Sequence, residues 1–66
     1  MIVLTKLDGK QILINEQHIE TAYETPDTII QMNNGHTYIV AESLSEIMKK
    51  TVEFRRQTRR RAMNNE

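Results

Sequence analysis

The chain has no cysteine and no tryptophan, and among its 66 residues only one proline, two glycines and three aromatic side chains. Without cysteine it can form no disulfide scaffold, no cysteine-ligated zinc site and no thiol nucleophile. A secreted domain of this size usually needs such staples, so the expected compartment is reducing and cytoplasmic. Apolar runs such as Ile2-Val3-Leu4 fall far short of the ~20 residues of a membrane span, so no transmembrane segment is expected. The N-terminus has no basic stretch leading into a long apolar one and does not read as a signal peptide. Both glycines fall at turns, which leaves none for a phosphate-cradling loop. No H-E-x-x-H, G-x-S-x-G or paired-carboxylate motif occurs. The two histidines, His18 and His36, are too few for a metal site by themselves. His18 could meet Glu16 or Glu20, and His36 reads as exposed at the start of a strand. No catalytic residue, cofactor or metal is expected, and the chain does not read as an enzyme.

What is present is an uneven distribution of charge. The formal net charge is zero, yet residues 1–48 carry two basic against seven acidic side chains, and residues 49–66 carry seven basic against two acidic. A body of −5 thus bears a tail of +5. Arg55, Arg56, Arg59, Arg60 and Arg61 form the candidate partner-binding surface. Four acidic partners fit them: nucleic acid, an anionic membrane surface touched peripherally, another protein, or the body of a neighbouring copy. The plainer reading is a solvated helix end whose positive charge complements the helix dipole.

Alternation predicts strands over residues 2–7, 10–14, 28–33 and 36–40. Asp8-Gly9 and Asn34-Gly35 are hairpin signals, read as two-residue type I′ turns with positive φ at both central positions. Pro26-Asp27 is a further turn. Residues 18–24 are ambiguous, because Ile19, Ala22 and Tyr23 also fit helical spacing. Thr21, Tyr23 and Thr25 favour a strand, and Pro26 stops a helix.

Ser43-Leu44-Ser45-Glu46 reads as a capping box, Ser43 accepting from the Glu46 N–H and Glu46 reaching back. Leu44, Ile47, Met48, Thr51 and Val52 follow at helical spacing, with Phe54 at the edge of the stripe. A helix over about 43–61 results, and its distal half must project, fray or dock on something acidic. The expected whole is one α+β domain over residues 1–62: a small antiparallel meander of four to five strands, flat or curled into a partial barrel, and then one C-terminal helix. Residues 63–66 read as a disordered tail. A single half-apolar helix covers only one sheet face, which makes a homo-oligomer the expected state.

Residues 1–10, Met1-Ile2-Val3-Leu4-Thr5-Lys6-Leu7-Asp8-Gly9-Lys10, are followed by Asn15, His18-Ile19-Glu20 and Thr25-Pro26-Asp27-Thr28. Asn34-Gly35-His36-Thr37-Tyr38-Ile39-Val40 and Glu42-Ser43 come next. In that order these pieces resemble the FlbD family, also called SwrD, of small flagellar proteins, up to about Phe54. The resemblance implies a flagellar setting, an association with swarming motility and motor power, and a motor- or stator-related partner on the cytoplasmic side. It implies no catalytic residue. Met1 to Lys6 also resembles the start of the CsrA family of RNA-binding regulators. The strand-turn-strand-helix rhythm of residues 19–44 is similar to LytTR DNA-binding domains. A nucleic-acid-binding regulator is therefore the alternative function.

Overall fold

The structure, a computed structural model, describes residues 1–64 and the side chains of residues 1–58. Five strands precede one helix: β1 Ile2–Thr5, β2 Gln11–Ile14, β3 Ile19–Glu24, β4 Thr28–Met32, β5 Thr37–Val40 and α1 Leu44–Asn64. A short 3-10 turn, Glu16–His18, separates β2 from β3; Asn15 caps it by accepting the Gln17 N–H at 3.1 Å. The ambiguous segment 19–24 is a strand, as the β-forming residues before Pro26 favour.

The strands form two antiparallel sheets, β1-β2 and β3-β4-β5. A simple meander would pair β2 with β3. Here the 3-10 turn breaks that step, and the sheets meet instead through β1 and β5. Lys6 and Val40 form an isolated bridge, and the Ala41 N–H donates to the Thr5 carbonyl at 2.8 Å. The sheets stay open at β2 and β3.

Two of the hairpins share one construction that differs from the two-residue turn expected. The Gly9 N–H donates to the Lys6 carbonyl at 2.9 Å and the Gly35 N–H to the Met32 carbonyl at 3.0 Å. Positive φ is confined to the glycines, +91° at Gly9 and +93° at Gly35. Each is a β-turn followed by a left-handed glycine, the three-residue loop. Asp8 and Asn34 keep negative φ, and their side-chain oxygens accept the N–H groups of Lys10 and His36, each at 3.0 Å. This loop places the strained conformation only where no Cβ exists, and the preceding side chain secures the loop. Pro26 and Asp27 lie in the β3–β4 turn, where the Thr25 N–H donates to the Asp27 carbonyl at 3.0 Å.

The core gathers one face of each sheet. Ile2, Leu4, Ile14, Ile30, Met32 and Val40 are buried with Ile47 of the helix, and Ile12, Ile19, Ala22, Tyr38 and Phe54 pack at its margin. Ser43 caps α1: the Glu46 N–H donates to Ser43 Oγ at 3.2 Å, and the Ser43 N–H donates to Glu46 Oε1 at 3.4 Å. Glu24, from the end of β3, accepts the Leu44 N–H at 3.1 Å. Two carboxylates thus satisfy the start of the helix. Leu44, Ile47, Thr51 and Phe54 face the body. Met48 and Val52, expected in the same stripe, are 67% and 54% exposed. So small a body reaches only one line of the helix. The helix runs to Asn64, so Met63 and Asn64, expected in a disordered tail, are helical; residues 65 and 66 lie outside the described residues.

Candidate functional site

Two surfaces and one internal pair of carboxylates carry the chemistry of the chain. The first is the distal helix. After Phe54 the described side chains, Arg55, Arg56, Gln57 and Thr58, are all exposed, so the helix leaves the body where its apolar line ends. Arg56 makes a loose 3.8 Å ion pair with Glu53, one turn back. An exposed pair of this kind holds little and leaves the guanidinium open to a partner. The Arg55 charge is the smallest of the influences that lower the Glu16 pKa, behind the hydrogen bond from the N-terminal ammonium. Arg59, Arg60 and Arg61 stand on the same helix, with side chains outside the described set. Beside the arginines, Met48 and Val52 form an apolar strip bordered by Ser45, Lys49 and Glu53. A basic helix with an apolar edge offers both charge and burial to an acidic partner.

The second surface is the outer face of the sheets. Val3 opposes Leu13 across β1 and β2, and Tyr23, Ile29 and Ile39 line up across β3, β4 and β5. The other paired positions on this face are Thr and Gln, with no charge among them. Loss of charge combined with exposed Ile, Leu and Tyr is the composition of a protein-contact surface.

The third feature is internal. Glu16 and Glu42 are nearly buried carboxylates. The Met1 ammonium donates to Glu16 Oε1 at 2.7 Å and to Oε2 at 3.3 Å. That hydrogen bond, opposed by burial and helped by the ammonium charge, holds the Glu16 carboxyl below its usual value. For Glu42 burial is the largest single influence and pushes its pKa up. The hydrogen bonds from Thr5 and its own backbone outweigh it, so the carboxyl also lies below the ordinary range. The Thr5 N–H reaches Glu42 Oε1 at 2.8 Å, just past the last residue of β5, so this side chain adds a rung to the ladder between β1 and β5. Both carboxylates are structural. Sequence reasoning offered Glu16 to His18, whereas it turns inward to the N-terminus and His18 stays exposed. Glu42 was legible in one respect, since it continues the inward phase of Tyr38 and Val40.

Among the described residues no group of three or more His, Asp or Glu side chains could hold a metal ion. His36 is exposed and stands edge-on to Tyr38, with ring centroids 6.5 Å apart. Asp8, Gly9, Pro26, Asp27, Asn34 and Gly35 shape turns, and Ser43 and Glu46 cap the helix. These residues are dispersed over the molecule and gather into no single pocket.

The family model for FlbD, flagellar and swarming motility proteins, matches residues 1–58. The chain belongs to the FlbD family. No curated protein and no solved structure matches it. The family match spans all five strands and the helix as far as Thr58. It therefore reaches beyond Phe54 and includes Arg55 and Arg56, which the resemblance had left outside. Arg59, Arg60 and Arg61 lie beyond it. Membership ties the chain to flagellar and swarming motility. No helix among the described residues is long and apolar enough to cross a membrane.

Proposed function

We propose that this FlbD-family chain is a non-enzymatic accessory protein of the flagellum. It supports motor power and swarming by binding an acidic face of a motor- or stator-related protein on the cytoplasmic side. The observation that carries this reading is the family match over residues 1–58. The exposed Arg55 and Arg56 on a helix that leaves the body supply the surface. The Met48–Val52 strip beside them adds apolar area to a contact that charge alone would leave weak and salt-sensitive.

The test pairs motility with binding. Replacing Arg55 and Arg56 by Glu in a motile host should reduce swarm expansion and abolish co-purification of a flagellar protein, with the domain still folded. Normal swarming by that folded variant would refute the reading. The same arginines support the alternative of a nucleic-acid-binding regulator. Against it, the neighbouring aromatic, Phe54, is packed on the core and offers no stacking platform. Salt-dependent RNA or DNA binding by wild type, lost in the Glu variant, would favour that alternative. Binding to anionic vesicles would favour peripheral membrane contact.

A further inference from the structure

The two open edges of the sheet system are built differently. At β3 the register shifts between Ile19 and Thr21, Glu20 and Glu24 add charge, and Pro26 follows. Bulge, charge and proline are the devices that stop one strand edge from adding to another. The β2 edge has none of them. Gln11-Ile12-Leu13-Ile14 is uncharged, lacks proline and pairs with β1 in an unbroken register.

The hairpin closure fixes which backbone groups face outward on β2. The Lys6 N–H donates to the Lys10 carbonyl at 2.8 Å, so these two residues form a hydrogen-bonded pair. Antiparallel pairs alternate, so Leu4–Ile12 and Ile2–Ile14 are hydrogen-bonded, while Thr5–Gln11 and Val3–Leu13 are not. Thr5 agrees with this assignment, since its N–H goes to Glu42 and its carbonyl to Ala41, both away from β2. Gln11 and Leu13 therefore aim their own N–H and C=O groups away from β1, into the open edge. Among the described residues no backbone group meets them there. The Leu13 side chain is 61% exposed.

We infer that this edge pairs with the β2 edge of a second copy, antiparallel about a two-fold axis through Ile12. In that register Gln11 of each copy lies opposite Leu13 of the other. Every outward N–H then meets an outward C=O, and all four groups on each strand are satisfied. The two Ile12 side chains, each at the margin of its own core, come together in a close non-hydrogen-bonded pair and join the cores. A strand of unrelated sequence could use the same edge. A second copy satisfies the same groups on both strands at once through the two-fold, with the uncharged Gln11–Ile14 on each side of the seam. The inference is independent of the flagellar reading.

The experiment is analytical ultracentrifugation of the full chain from micromolar to about a hundred micromolar, a range where a specific small dimer is populated. Wild type should sediment as a dimer of about 16 kDa, twice the 7.8 kDa chain. The Leu13 amide should be protected from hydrogen exchange at high concentration and lose that protection on dilution. Leu13→Pro removes an outward N–H and leaves the bonds to β1 in place, which an edge strand tolerates. Symmetry makes this a loss of two interface hydrogen bonds, so the dissociation constant should rise roughly tenfold or more. Gln11→Pro, at the first residue of the strand, makes the same test should Leu13→Pro not fold. Ile39→Lys, on the outer face, should leave the dimer intact. A wild-type monomer throughout the range would overturn the inference while leaving the motility reading untouched. A dimer that survives both proline variants, or one that only Ile39→Lys disrupts, would also overturn it.

Discussion

Glu42 shows how much one buried carboxylate can hold at the residue scale. It stands where β5 ends, and its side chain takes the Thr5 N–H that a further strand residue would have taken. Replacing it by Ala leaves that donor unpaired among apolar neighbours, and the unfolding free energy should fall by about 1–3 kcal/mol in urea titrations. The pH dependence follows from the sign of the shift. Glu16 and Glu42 both have folded pKa values below the ordinary 4.5, so the unfolded chain binds protons first. Their contribution is fully present above that value and is lost as pH falls through the depressed folded values. Urea midpoints should drop on acidification below about pH 4.5, and Glu16→Gln with Glu42→Gln should flatten the acid limb of that curve. Gly35 gives a second residue-scale outcome. A Cβ there would meet nothing within 4 Å, so the cost of Gly35→Ala is the positive φ alone. That is ~1–2 kcal/mol, whereas a D-alanine placed by chemical synthesis should be tolerated without loss. Equal destabilisation by the L and D residues would show that some other contact governs the turn.

Local periodicity is visible in a sequence at the scale of elements, and long-range pairing is not. Val3, Leu13 and Ile39 alternate against Leu4, Ile14 and Val40 with a period of two, so four strands could be read from alternation, while β3 needed the β-forming Thr21, Tyr23 and Thr25 and the stop at Pro26. The cap at Ser43 and Glu46 was equally legible, because a capping box is a four-residue motif. The junction of β1 with β5 was not, since Lys6 and Val40 lie at opposite ends of the strand region and no local pattern links them. The turn type was misread for a related reason. Asp-Gly and Asn-Gly suit both two-residue and three-residue loops, and the hydrogen bonds of Lys6 and Met32 choose the longer one. On the helix, spacing alone gave a broad stripe, and docking selected one line of it. The contrast is measurable. Ile47, at 6% exposure, should lose about 2–5 kcal/mol as Ile47→Ala, because a cavity opens under the helix. Val52→Ala, at an exposed site, should stay within about 0.5 kcal/mol. Urea denaturation of the two variants checks both, and similar losses would mean that the helix sits rotated on the sheet.

Across the whole molecule the division of charge follows the division of structure. The −5 body, residues 1–48, contains both sheets and the start of the helix, and the +5 segment, residues 49–66, contains the rest of the helix to Asn64. That division was legible because charge counts need no tertiary contacts. What the arginines touch was not, because a partner leaves no trace in a single chain. The body supplies one weak intramolecular use, the influence of Arg55 on Glu16, and among the described residues Arg56 has only the 3.8 Å pair with Glu53. Neither is a major prop of the fold. Replacing Arg55, Arg56, Arg59, Arg60 and Arg61 by Gln should therefore leave the sheets, the cap and the Ile47 contact in place. Gln is itself a good helix former, so helical circular dichroism should change little. Each exposed ion pair lost should cost at most ~1 kcal/mol, so the urea midpoint should move only slightly. Association with an acidic partner should fall instead, and the wild-type interaction should weaken as salt shortens the Debye length to ~3 Å at 1 M. Swarming should decline in step with that binding. A variant that swarms and binds like wild type would reduce the arginines to a solvated helix end. One that unfolds would make them structural, and the apolar line ending at Phe54 would no longer mark the limit of the folded body.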